Sequence, residues 1–187
     1  MPMKKYIVTG ATSGVGEALV KSFKGEDVQI VAIGRNEGKL EKLKAFMPSY
    51  QCITVNIDLC EVESIKEKIT PYLDEVDGFV HCAGFNKLTS LRKASYDLYL
   101  KMMNVNYFSF AELVRLITLK KSKERRLRII GISSCASVTG LKSNYIYAST
   151  KAAMDAFVRN VALDLAPQNV EINTLQPSYI DPPMLSD

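Results

Sequence analysis

Lys5-Tyr6-Ile7-Val8-Thr9-Gly10-Ala11-Thr12-Ser13-Gly14-Val15-Gly16 carries the pattern that decides the fold. A short β-branched run ends in a turn with glycines at 10, 14 and 16, and Val15, Ala18, Leu19 and Phe23 follow at helical spacing. A strand that turns sharply into a helix is the first half of a parallel crossover unit. Glycines in such a turn allow a tight bend and let backbone N–H groups approach a phosphate at the positive end of the helix. Glycine also serves ordinary turns, so the weight lies in the placement between strand and helix. Three residues separate Gly10 from Gly14, where the commonest dinucleotide fingerprint has one.

The same alternation runs outward along the chain. Strands are predicted at Lys5 to Thr9, Val28 to Gly34, Cys52 to Ile57, Gly78 to Cys82, Leu127 to Ser133 and Val170 to Gln176, each a near-continuous apolar run suited to burial on both faces. Between them Leu40, Leu43 and Met47, and then Ile65, Ile69 and Leu73, fall at helical spacing, and long helices are predicted from about Tyr99 to Lys120 and Asn144 to Ala166. With no linker or internal repeat, the chain reads as a single domain over 1–187. The expected architecture is α/β: a Rossmann-type doubly wound parallel sheet of six strands in the order 3-2-1-4-5-6, with helices on both faces. Its ligand crevice falls where the order reverses, between the first and fourth strands.

An apolar fraction of 47% and a charged fraction of 24% are those of an ordinary globular protein and exclude a disordered or collagen-like chain. No apolar run is long enough to span a membrane, and the one after Met1-Pro2-Met3-Lys4-Lys5 is too short for a secretory signal. A cytoplasmic protein is expected. Cys52, Cys60, Cys82 and Cys135 have no CxxC spacing, and His81 is the only histidine, so no metal site is expected and the thiols read as free and buried. Arg115, Lys120, Lys121, Lys123, Arg125, Arg126 and Arg128 crowd one stretch. A nucleic-acid face is one reading. The preferred one is a helix C-terminus and a solvated loop, because no aromatic residue interleaves and positive charge complements the helix dipole there; no nucleic-acid partner is expected.

Where an NAD-binding domain commonly ends its second strand in an acid, this chain has Gly34 followed by Arg35. A guanidinium suits a phosphate, so Arg35 argues for NADP(H) over NAD(H); the alternative is a solvated arginine that opens a charged helix. Asp58 and Leu59, after the third strand, are expected beside the adenine. Further on, Tyr147 and Lys151 are four positions apart and share a helix face, so the ammonium can approach the phenol and favour its ionised form. Ser134 lies thirteen residues upstream of Tyr147, at the end of the fifth strand.

Taken together, Thr9-Gly10-x-x-x-Gly14-x-Gly16, Ala83-Gly84, Asn106, Ser134 and Tyr147-x-x-x-Lys151 resemble the single-domain branch of the short-chain dehydrogenase/reductase family, from Lys4 to Met184. The resemblance implies that Ser134 hydrogen-bonds the substrate oxygen, that Tyr147 passes the proton, and that Lys151 holds the nicotinamide ribose while tuning Tyr147. Asn106 would anchor a relay of protons to Lys151. Cofactor contacts are implied for Gly10, Thr12, Ser13, Gly14, Val15, Gly16, Arg35, Asp58, Leu59, Ala83, Gly84, Tyr147, Lys151, Pro177, Ser178 and Ile180.

The chain departs from the family at several places. His81-Cys82 replaces a usual Asn-Asn before Ala83-Gly84, and His81 is expected to be a hydrogen-bonded core substitute. Pro177-Ser178 replaces a usual Pro-Gly, and Pro182 stands where a threonine is usual. No residues after Asp187 supply the family's seventh strand and substrate-covering helices, so the sixth strand is expected to be an edge and cofactor binding to outlast turnover. The helix of Tyr147 is apolar on more than one side: Ala152, Ala156, Val161 and Leu163 mark some faces and Met154, Val158, Ala162 and Leu165 another, so one face covers the sheet and the other needs a partner. The resemblance implies a second subunit in a homodimer or homotetramer; further residues of the same chain are the alternative cover.

The expected activity is NADPH-dependent reduction of a ketone or aldehyde, or the reverse oxidation of an alcohol, on a small-molecule substrate. The rival is a nucleotide-sensing or scaffolding protein that keeps the site without turnover. The full set of Ser134, Tyr147, Lys151 and Asn106 favours the enzyme.

Overall fold

The computed structural model describes residues 3–178 and residue 180. Strands β1 (Lys4–Thr9), β2 (Val28–Gly34), β3 (Cys52–Asn56), β4 (Gly78–His81), β5 (Leu127–Ile132) and β6 (Val170–Leu175) form one parallel sheet in the order β3-β2-β1-β4-β5-β6. Each stands within a residue of its expected bounds at both ends. Helices α1 (Gly14–Ser22), α2 (Glu37–Phe46), α3 (Val62–Ile69), α4 (Tyr96–Met103), α5 (Ser109–Lys120) and α6 (Tyr145–Leu165) connect them.

Period-two alternation along the strands builds two cores. Ile7, Val31 and Ile33 point to one face, where Ile65 and Ile69 of α3, Leu113 and Ile117 of α5, and Met154 and Val158 of α6 cover them. Val8, Ile30 and Ala32 point to the other, beneath Val20 of α1 and Leu43 of α2. β2 is almost wholly buried, as a central strand covered on both faces must be. In β6 Val170 and Ile172 are buried while Glu171 and Asn173 are exposed, the alternation of a half-covered strand. Among the described residues β6 pairs with β5 alone.

The stretch expected as one helix from Tyr99 to Lys120 begins earlier and is broken. Ser95 accepts a hydrogen bond from Leu98 N at 3.2 Å, which starts α4 at Tyr96. One π turn, Asn104–Phe108, then separates α4 from α5. It turns Asn106 into the interior, and Ser109 Oγ donates to Val105 O at 2.8 Å. Such a turn depends on the inward polar groups that reward it, which hydrophobic periodicity does not report.

Four of the seven crowded basic residues face carboxylates. Arg115 pairs with Glu112, Arg125 with Asp77 at 2.7 Å, and Arg126 and Arg128 both with Glu171. All four cysteines are free, but only Cys52 is fully buried; the other three are partly exposed, because each lies at a strand exit rather than in the sheet. No helix among the described residues is long and apolar enough to cross a membrane.

Candidate active site

The exits of β1, β2 and β4 converge where the strand order reverses. Gly10 has φ +65°, and a Cβ on it would lie 2.7 Å from Ala83 N and 2.8 Å from the Cys82 carbonyl carbon. A Cβ on Gly16 would lie 2.3 Å from Gly10 O, and one on Gly34 2.7 Å from Thr12 Cγ2. These three positions must be bare for the turn, the first turn of α1 and the end of β2 to pack. Gly14 is different: it has φ +51° and open space around it. Ser13 caps α1 without a side-chain hydrogen bond, and Ser13 and Gly14 are exposed at the helix's positive end. The cradle therefore fits the pyrophosphate of a dinucleotide, with N–H donors and the helix dipole facing open space.

Beside it, β4 is locked by Thr9, whose hydroxyl meets His81 Nδ1 at 2.9 Å and accepts from Ala83 N at 3.3 Å. Burial pushes the His81 imidazole down to about 3, helped by the nearby Lys151 charge, so it is neutral. It packs against Phe79 and Phe110 as a core residue, in line with the sequence expectation. Asn106 takes up the backbone just beyond. Its Oδ1 accepts from Phe85 N and its Nδ2 donates to Phe85 O and Thr150 Oγ1, all at 3.0 Å. Thr150, which the sequence reading passed over, donates in turn to Tyr147 O at 2.7 Å. Asn106 thereby joins the segment after β4 to the helix of Tyr147.

Ser134, Tyr147 and Lys151 come together from β5 and α6. Ser134 Oγ accepts from Ala136 N at 3.1 Å, which leaves its proton free to donate. Lys151 is 3% exposed; its Nζ donates to Ile132 O at 2.7 Å and stands 5.6 Å from the centroid of the Tyr147 ring. A Cβ on Gly84 would lie 3.3 Å from Asn106 Oδ1 and 3.5 Å from Lys151 Nζ, so those two groups flank one point of the crevice.

The electrostatics differ from the spacing argument in one respect. Burial pushes the Tyr147 phenol above its ordinary value, and the nearby Ser134 hydroxyl opposes this without overcoming it. Burial also lowers Lys151 to about 8, against the pull of Asp155 and Cys82. The ammonium does share the helix face, but both groups are desolvated, and one of the three Lys151 N–H donors is turned to Ile132 O. The tyrosine is thus a neutral acid in this state.

The remaining expected positions line the same edge. Arg35 is exposed just past β2, where Asn36 caps α2 through Lys39 N at 2.9 Å. Asp58 turns back to accept from Cys60 N at 2.9 Å, and Leu59 is buried. Pro177 O accepts from Cys135 N at 3.0 Å, tying the loop after β6 to that after β5. Ser178 and Ile180 are exposed, and Pro182 lies outside the described residues. Residues 4–187 match the family model described as short chain dehydrogenase. The chain belongs to that family.

Short-chain dehydrogenases of varied name are similar to it. A Dehydrogenase/reductase SDR family protein 7-like from Drosophila melanogaster is 28% identical over 96% of this chain and 58% of its own length. L-xylulose reductase from Bos taurus is 26% identical over 97% of this chain and 73% of its own. The structure of ElxO with NADP bound superposes with a TM-score of 0.86 at 21% identity, covering 98% of this chain and 77% of that one, which shows the shared fold. The chain thus spans under two thirds of the Drosophila relative. The names these relatives carry are those of dehydrogenases and reductases.

Proposed function

We propose that this protein is an NADPH-dependent carbonyl reductase that converts a ketone or aldehyde to an alcohol, or the reverse, with Tyr147 as the general acid and base. The observation that carries this reading is the buried Lys151 ammonium, 5.6 Å from the centroid of the Tyr147 ring on the same helix. A bound nicotinamide cofactor supplies the hydride. The chain's own groups handle the oxygen. Ser134, with its proton free, donates to the carbonyl oxygen and orients it, and Tyr147 Oη transfers a proton as charge develops there. Lys151 stabilises the phenolate that remains and is placed to hold a ribose hydroxyl. Asn106 fixes the backbone at Phe85 and reaches Tyr147 through Thr150, which keeps the site from drifting.

Preference for NADPH rests on positions 34 and 35. Gly34 is buried against Thr12, so no acid fits there without displacing the turn, and no carboxylate opposes a 2′-phosphate. Arg35 stands exposed next to it as a phosphate partner. Gly10 to Gly16 would hold the pyrophosphate, Asp58 and Leu59 the adenine, and Ala83, Gly84, Pro177, Ser178 and Ile180 the nicotinamide. The four free thiols support a reducing, cytoplasmic setting.

A homo-oligomer is part of the same reading. Ala111, Val114 and Thr118 of α5 and Phe157, Val161 and Leu165 of α6 line a groove of about 640 Å³ that a second copy would fill. The function is tested by incubating the protein with NADPH and a panel of ketones and aldehydes. Cofactor oxidation that depends on the carbonyl is expected; binding of NADPH with no turnover on any of them would favour a sensing role instead.

A further inference from the structure

Asp155 lies on α6 one turn beyond Lys151, on the same face, and is 5% exposed. A buried carboxylate is costly unless it is hydrogen-bonded or faces a cation, so its surroundings state what retains it. Gln176 Nε2, just past β6, donates to Asp155 Oδ2 at 2.8 Å and also reaches Ser137 Oγ at 3.2 Å. Gln176 is the hydrogen-bond partner of Asp155 Oδ2, and Oδ1 is buried with no hydrogen-bond partner among the described residues. Burial alone would push this carboxyl up; the polar groups of Ser137, Ser133, Gln176 and Thr174 near it leave it below its ordinary value, so it is an anion.

These contacts surround Ser134. Ser133 and Ser137 lie on either side of it in sequence, Ser133 N donates to Leu175 O at 2.7 Å, and Cys135 N donates to Pro177 O at 3.0 Å. Lys151 Nζ holds Ile132 O, and Ser133 Oγ faces Lys151 O at 3.5 Å. The segment that presents Ser134 is therefore fastened to the exit of β6 and to α6, with Asp155 where the three meet.

We propose that Asp155 is a positioning residue: its buried carboxylate pins the Ser134 segment and the exit of β6 to the helix of Tyr147 and Lys151, and it is the counter-charge of Lys151. The consequence for turnover rests on the proposed roles of Tyr147 and Lys151. The groups that face Lys151 from the packed elements are His81 on β4, Cys82 after it, and Tyr147 and Asp155 on α6. His81 is neutral, burial pushes the Cys82 thiol up to about 12, and the Tyr147 phenol is held above its usual value. Asp155 is thus the one anion among them at neutral pH. Without it, an ammonium that burial already holds at about 8 loses its proton closer to neutrality.

The test uses Asp155→Asn in the full chain without cofactor, a change that keeps the shape and removes the charge. The carbon-13 shift of Lys151 Cε is followed with pH, and hydrogen exchange is read across residues 133–137 and 174–177. The Lys151 midpoint is expected to fall and exchange in both segments to accelerate. An unchanged midpoint in a folded variant overturns the proposal, since a merely structural role would lower thermal stability and leave Lys151 alone. Should Asp155→Asn fail to fold, Gln176→Leu keeps the charge and removes one arm of the clamp. Faster exchange across residues 133–137 is then expected, and unchanged exchange overturns the clamp. Neither readout needs turnover, so a wild-type protein that reduces no carbonyl counts against the proposed function and not against Asp155.

Discussion

The side chains of Thr9 and His81, directly opposite each other in the β1–β4 ladder, meet at 2.9 Å in the interior. The same Thr9 hydroxyl accepts from Ala83 N, so the first strand holds the exit of the fourth where the strand order reverses. His81 Nδ1 is thereby partnered inside the protein, while its Nε2 is buried with no hydrogen-bond partner among the described residues.

A pH dependence follows from this arrangement. Burial lowers His81 from 6.5 to about 3, so between those values the unfolded chain takes up a proton that the folded protein refuses. The unfolded state then binds more protons, and stability rises with pH through that window and falls as pH drops from 6.5 toward 3. His81→Asn should lose less thermal stability over the same interval than the wild type. As His81 is the only histidine, one imidazole NMR signal reads it directly. A titration near 6.5, or parallel stability curves for the two proteins, would contradict the buried neutral assignment.

Close packing of the turn gives a second expectation. A Cβ at Gly16 would sit 2.3 Å from Gly10 O, a backbone atom that cannot rotate away. Gly16→Ala should therefore cost about 1–3 kcal/mol of stability, the usual range for overpacking, and weaken NADPH binding as the cradle opens. Gly140→Ala, where a Cβ meets nothing within 4 Å, is the control and should stay near wild type in thermal denaturation.

Cofactor choice is tested at Arg35. If its guanidinium binds the 2′-phosphate, Arg35→Ala loses a charge-assisted contact of about 1.5–3 kcal/mol, or roughly ten- to a hundredfold in NADPH affinity. NADH affinity should be nearly unchanged. Fluorescence titration of both cofactors decides it, and equal or tighter binding of NADH by the wild type would sink the preference.

The sheet was legible because each buried parallel strand is a short β-branched run, and the turn of Gly10 to Gly16 marked its first crossover. Spacing also brought Tyr147 and Lys151 to one face and placed Ser134 at a strand exit. The π turn at Asn104–Phe108 was hidden, since it answers to hydrogen bonds between Asn106 and residues 85 and 150 that are distant in sequence. Thr150 and Asp155 were hidden in the same way, though their positions within one turn of Lys151 were a usable signal. The phenol's upward shift was missed because spacing reports a nearby cation and says nothing of how much water burial removes.

The central claim is that Tyr147 transfers the proton while the rest of the crevice binds the cofactor. It is tested most directly by comparing wild type and Tyr147→Phe for carbonyl-dependent NADPH oxidation and, separately, for NADPH affinity. Removing the phenolic hydroxyl should lower kcat by about 10²–10⁴-fold, the usual contribution of a positioned acid, and leave NADPH affinity essentially unchanged. A variant that keeps most of the wild-type turnover would contradict the account and assign the proton to another group.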